Sequence, residues 1–152
     1  MTLNTYLSIV TLHVNGLKDP IKRHRVSDWL KKQGPSICCL QEHFRPKGTY
    51  SLKMKGWRTI YHSDGPQKKA EVAILISDKL KFIPKTVVRD EEGHYIILKG
   101  SIQNEDLTIL NIYAPNVGAA KYINQLITNV KTYLDNNTLI LGWLHSSAFY
   151  TQ

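Results

Sequence analysis

Apolar and polar residues repeat along this chain with two periods, and the periods divide it into strands and two helices. Residues 6–14 alternate apolar with polar positions and are rich in β-branched side chains, the pattern of a half-buried strand. Asp19-Pro20 then reads as an N-cap followed by proline in the first turn, and Gly34-Pro35 is a strong stop, so a helix is predicted over 20–33. Its apolar stripe is thin, with Ile21, Val26, Trp29 and Leu30, and its other faces carry Lys22, Arg23, His24, Arg25, Lys31 and Lys32. Residues 36–41 read as a buried strand, followed by a polar loop over 43–55 that Pro46 and Gly48 break. A short strand over 57–62 ends in a turn at Ser63-Asp64-Gly65-Pro66. The mostly apolar run 71–77 reads as a central strand. Two further strands, 82–89 and 94–102, are joined by the acidic turn Asp90-Glu91-Glu92-Gly93. A tight turn at Asn104-Glu105 leads into a strand over 107–112. Tyr122, Leu126, Val130 and Tyr133 stand near helical spacing and predict a helix over 121–134, and 138–142 is the last strand. This order suits two stacked sheets with helices outside, an α/β sandwich. No glycine-rich phosphate loop opens either helix, which argues against a nucleotide-cofactor fold.

Composition adds limits. The 152 residues are 42% hydrophobic and 21% charged, the balance of one globular domain. No run of about 18 apolar residues occurs, so no membrane span is expected, and the first residues lack the charge and hydropathy pattern of a secretory signal. Cys38 and Cys39 are adjacent on a buried strand, where their side chains should point to opposite faces. That placement predicts free core thiols and an intracellular, reducing compartment, nuclear or cytoplasmic, and offers no zinc-ligand spacing. The net charge of +8 is uneven: residues 1–75 hold 13 Lys and Arg against 5 Asp and Glu, whereas residues 76–152 hold 7 of each. A one-sided basic field suits a polyphosphate partner such as DNA, although it also suits a solvated surface.

Candidate chemistry sits where apolar strands end, positions that a rigid scaffold holds in place. Glu42 closes one strand and could ligate a hard cation such as Mg²⁺. Asn15, before Gly16, could position a phosphate through its amide. Tyr113, before Ala114-Pro115-Asn116, could hydrogen-bond a phosphate oxygen. Taken singly, each also fits a bland role: a surface charge, a turn, a packing aromatic.

In order, Val14-Asn15-Gly16-Leu17, Cys39-Leu40-Gln41-Glu42 and Asn111-Ile112-Tyr113-Ala114-Pro115-Asn116 are more specific. They resemble the motifs of the exonuclease-endonuclease-phosphatase superfamily, the DNase I-like fold. The sequence between them is similar to the endonuclease domain of LINE-type (non-LTR) retrotransposons, notably at Pro20 to Arg25, Lys55-Gly56-Trp57-Arg58, Val72-Ala73-Ile74-Leu75, Glu92-Gly93-His94-Tyr95 and Gly100-Ser101-Ile102-Gln103. The resemblance covers about residues 5–142. It implies a two-sheet α/β sandwich and a Mg²⁺-dependent phosphodiesterase that nicks DNA. Asn15 and Tyr113 would contact the reaction centre and the scissile phosphate. Asn116 would lie near the substrate, and Glu42 would ligate the metal.

The chain also departs from that pattern. The family's fourth motif, Gly-Asp-Phe-Asn, reads Gly142-Trp143-Leu144-His145 here. Trp143 stands where the Asp that orients the attacking water is expected, and His145 where an Asn phosphate ligand is expected. Gln41-Glu42-His43-Phe44 is one residue shorter than the family's version, and Glu71 replaces a usual Gly. The family's last third, with its Ser-Asp-His motif, has no counterpart. The resemblance therefore implies an incomplete domain over 1–142, the N-terminal portion of the sandwich with edges and apolar faces left open, and an unrelated tail over 143–152. Lost acid–base groups of this kind are each worth ~10²–10⁴-fold, which predicts an inactive relic of the endonuclease. The alternative is a non-catalytic basic fragment that binds nucleic acid.

Overall fold

The first two strands run parallel with a helix between them, the frame from which the rest of the fold is built, in a computed structural model that describes residues 7–15, 19–43, 55–64, 70–144 and 147–151. Strand β1 (Ile9–Asn15) leads to α1 (Pro20–Gln33) and β2 (Ile37–His43). β3 (Thr59–Asp64), β4 (Ala70–Ile76), β5 (Ile83–Arg89), β6 (Tyr95–Ile102) and β7 (Glu105–Tyr113) follow, then α2 (Ala119–Asn129), β8 (Thr138–Leu144) and β9 (Ser147–Thr151). β1, β2, β4 and β3 form one sheet in that order, and β5 to β9 form a second in sequence order. The expected two-sheet α/β sandwich is thus what the described residues build.

Three apolar layers hold it together. Ile37, Cys39, Val72, Ile74, Ile96, Leu98, Ile109 and Leu141 fill the space between the sheets. Cys38, Leu40, Ala73 and Leu75 face the other way, toward Leu30 of α1 and Trp57. Ile97, Leu110 and Ile112 pack under Leu126 and Val130 at α2. Each fully buried Ile or Leu contributes about 1.5–3 kcal/mol. Cys38 and Cys39 do face opposite layers, free and buried.

Local signals explain the element ends. Asp19 caps α1 by accepting from the Ile21 amide at 2.9 Å, and Gly34 ends the helix with φ 61°, its N–H bonded to the Leu30 carbonyl. The β6–β7 hairpin turns at Gln103-Asn104, one residue before the predicted position, with both residues at positive φ as a two-residue primed turn requires. α2 stops at Asn129 rather than 134, because Lys131–Tyr133 tightens into a 3-10 turn.

Three expectations change. Ile21 and Trp29, read as part of the thin apolar stripe of α1, are 64% and 41% exposed; Leu30 is the only fully buried residue of that helix, and Trp57 fills the layer beneath instead. Ser63 and Asp64, read as a turn, extend β3. β8 runs two residues past Gly142 to include Trp143 and Leu144, and residues 147–151 pair antiparallel with it, so the side of β8 expected to be an open edge is occupied. Ser147-Ala148-Phe149-Tyr150-Thr151 carries enough aromatic and β-branched character to extend a sheet. Most of the predicted loop 43–55, together with Gly16, Gly65-Pro66 and His145, lies outside the described residues.

Candidate functional site at the strand ends

The parallel pairs β1–β2 and β7–β8 end at the same pole of the sandwich. His13, two residues before the end of β1, reaches across to the other sheet. Its ring meets Tyr113 edge-on at 5.1 Å and stacks on Trp143 at 4.1 Å with planes 12° apart. Tyr113 and Trp143 are themselves register partners on β7 and β8. This aromatic triplet joins the two sheets at the pole where β1, β2, β7 and β8 end.

Asn15 is the last residue of β1, in register with His43. Glu42 sits on β2 between Val14 of β1 and Glu71 of β4, and Glu71 in turn pairs with Asp64 of β3. The side chains of Asn15 and Glu42 lie outside the described residues. Tyr113 is buried, 7% exposed, and belongs to the inter-sheet core. Asn116 is exposed on the loop beyond β7. Backbone register thus brings Asn15, Glu42 and Tyr113 to one pole, with Trp143 between the sheets beside them.

Two features of this pole were not visible in the sequence. The first is a buried amide bridge one layer below the mouth. Gln41 Nε2 donates to Asn111 Oδ1 at 2.7 Å and to Thr11 Oγ1 at 2.9 Å. Asn111 Nδ2 donates to the carbonyls of Leu40 at 3.0 Å and Ala73 at 2.9 Å. Both amides are 0% exposed. A buried polar group must be paired or it costs ~1–3 kcal/mol; in this network Thr11 and Gln41 pair within the first sheet and Asn111 pairs across to it from the second. It supports Glu42, the next residue after Gln41, and Tyr113, two residues after Asn111.

The second is His94. A carbonyl only accepts, so His94 Nδ1 donates to the Tyr113 carbonyl at 2.7 Å, while Tyr113 N–H donates to the His94 carbonyl at 2.7 Å. The His94 amide donates to Asp90 Oδ2 at 2.9 Å. Ala114 N–H donates to the Trp143 carbonyl at 3.1 Å, so the β7 terminus is held from both sides. The only signal for His94 in the sequence was its place in Glu92-Gly93-His94-Tyr95.

The chemistry open to this pole follows from its groups. Burial pushes the Cys38 thiol up to about 12, and burial followed by the neighbouring Cys38 holds Cys39 well above the ordinary thiol range, so neither supplies a thiolate nucleophile. Glu42 and Glu71, on paired positions, are residue types that donate hard oxygen ligands. Between the sheets at the same pole, Tyr113 and Trp143 present rings, and an indole has only an N–H to donate. Among the described residues no three His, Cys, Asp or Glu converge as a metal cluster, and no helix is long and apolar enough to cross a membrane.

The chain is similar to known proteins along most of its length. The family described as Endonuclease/Exonuclease/phosphatase matches residues 1–142. The transposon TX1 uncharacterized 149 kDa protein of Xenopus laevis is 26% identical over 141 residues, which cover 90% of this chain and 11% of that protein. The 3′ phosphatase NExo from Neisseria, solved with a product DNA hairpin, superposes with a TM-score of 0.65 at 21% identity, covering 92% of this chain and 58% of its own. The endonuclease domain of TRAS1, a telomere-specific non-LTR retrotransposon, superposes with a TM-score of 0.56 at 10% identity, covering 90% and 59%. The chain therefore spans about a tenth of the curated relative and somewhat over half of these solved chains, and what it shares with the latter is the fold.

Proposed function

We propose, starting from the fact that this chain belongs to the endonuclease/exonuclease/phosphatase family, that it is a LINE-type retrotransposon endonuclease scaffold that no longer cuts DNA. The transposon TX1 relative and the TRAS1 domain support the retrotransposon type, and the DNA-bound NExo structure supports DNA as the ligand class. The observation that carries the loss of cutting is the ring of Trp143 stacked on His13 at 4.1 Å, at the position where the family pattern has Asp. Phosphodiester hydrolysis needs a positioned water and neutralisation of developing negative charge. An indole neither accepts a proton from water nor ligates a cation, and here it fills the space between the sheets.

Mg²⁺ is the cation this reading implies, with Glu42 as its ligand; when bound it would neutralise charge on the phosphoryl oxygens. Glu42 and Glu71 are register partners on β2 and β4, so two carboxylate residues stand side by side at this pole. With Trp143 where the family pattern has Asp, a carboxylate is missing from the set, so binding is expected to be weak. Asn15 and Asn116 would remain as amide contacts to a phosphate, and Tyr113 as a phenol at the strand end.

The test is nicking of supercoiled plasmid by the folded chain with Mg²⁺, with EDTA, and with Glu42→Ala in parallel. No cleavage above background is expected. Cleavage that requires both Mg²⁺ and Glu42 would overturn the reading. A second reading, a basic fragment whose role is binding alone, is favoured by the charge excess confined to residues 1–75. It predicts nucleic-acid affinity that falls steeply with salt as counterions are released.

A further inference from the structure

Helix α1 presents an outward face that packing does not explain. At 100° per residue, Leu30 marks the inner side, with Val26 and Ser27 flanking it. Lys22 and Trp29 lie on one flank, roughly a quarter turn from Leu30, and Arg25, Lys32 and Ile21 continue from them to the opposite side, where Asp28 also lies. Ile21 is 64% and Trp29 41% exposed, and Lys32 keeps a side chain 73% exposed while pairing with Asp28 at 3.3 Å. The 14-residue helix holds five Lys and Arg against that single Asp. A separate groove of about 180 Å³ at its C-terminal end, lined by Leu30, Lys31, Lys55, Asp78 and Lys79 among others, lies on the other side of the helix from Trp29.

An exposed indole set among cations is poorly suited to a purely solvated surface, since its apolar area stays wet. It is also poorly suited to duplex DNA, whose bases are stacked on one another and offer an approaching helix only phosphates and groove edges. An unpaired strand offers both complements at once: phosphates for Arg25, Lys22 and Lys32, and a free base face for Trp29. Base–aromatic stacking is worth ~1–3 kcal/mol per base and tolerates any sequence. The helix is about 21 Å long, enough for a few nucleotides.

We propose that the outer face of α1 is a docking surface for single-stranded nucleic acid, with Trp29 as the stacking platform, separate from the mouth at the strand ends. It rests on the binding reading above and adds to it a place and a strand type. It does not depend on whether the mouth can cut.

The experiment is fluorescence anisotropy with a labelled oligonucleotide of about 12 nucleotides, single-stranded or annealed to its complement, across a salt series. Thermal melts establish that each variant is folded, which the exposure of these side chains favours. Trp29→Ala is expected to weaken single-strand binding about tenfold and leave duplex binding unchanged. Trp29→Phe, which keeps a ring, should restore most of the loss. Arg25→Glu should weaken both and lower the slope of log affinity against log salt by about one, whereas Lys121→Glu on α2 should change neither. Single-strand affinity unaffected by Trp29→Ala, or equal losses from Arg25→Glu and Lys121→Glu, would overturn the proposal, as would no binding to either oligonucleotide at low salt. Plasmid nicking, measured on the same samples, bears on the mouth alone.

Discussion

The two helices have equivalent places in the sandwich, each covering the outer face of one sheet, yet they are attached to it very differently. α2 buries Ala119 and Leu126, and its layer gathers Val130, Tyr122, Ile123 and Leu134 against the second sheet. α1 buries Leu30 alone and turns Ile21 and Trp29 outward. The charge divides in the same way, with the whole positive excess in the half that contains α1. A helix that only has to cover a sheet puts its apolar residues underneath it, as α2 does. A helix that spends an indole and most of its cations on the solvent side is adapted to something that comes from solvent.

The contrast can be sharpened by substitution. The largest effect should come from neither helix but from the bridge between the sheets that both cover. Asn111→Ala removes two donors from backbone carbonyls and one acceptor from Gln41 in a fully buried setting, and should cost about 3–5 kcal/mol in denaturant unfolding. Next, Leu126→Ala on α2 should cost about 2–4 kcal/mol through the cavity it leaves, whereas Ile21→Ala on α1 should stay within about 0.5 kcal/mol. Similar losses from the two would erase the difference between the helices.

The smallest effect concerns how the α2 side is tied down. Asp135 accepts from Lys99 at 3.1 Å and from the Asn137 amide at 2.9 Å. Partial burial pushes its carboxyl up, but the Asn137 amide, Lys99 and Thr138 outweigh it, and the folded group titrates below the ordinary 3.8. The unfolded chain therefore takes up the proton first. Stability from this group is present above 3.8 and is lost as pH falls through the lower folded value. Asp135→Asn should flatten that acid limb in a pH series of thermal melts, and an unchanged limb would remove the tether.

Much of this organisation was legible in the sequence. Asp19-Pro20 and Gly34-Pro35 set the ends of α1 because capping and proline geometry are local. The strand-end positions of Asn15, Glu42 and Tyr113 followed from apolar runs. What lay beyond reach was tertiary. Four apolar residues on α1 do not say which of them face the sheet, since nothing local distinguishes Trp29 at the surface from Trp57 beneath the helix. Gln41 and Asn111 meet across 70 residues of chain, and nothing local marks an amide as half of a pair. Trp143 was legible as a departure from the family pattern, but its stacking on His13 depends on the two sheets closing over one another.

The amide bridge also sets how the molecule opens. Through one Asn side chain, β7 is bonded to the backbone of both β2 and β4. Neither sheet can slide or peel from the other without stranding those groups in an apolar interior. Opening of one sheet then exposes the other, and the amide hydrogens of β2, β4 and β7 should exchange with deuterated solvent together, as one cooperative unit instead of two. Those of the outer turns of α1, held by a single buried leucine, should exchange well before them.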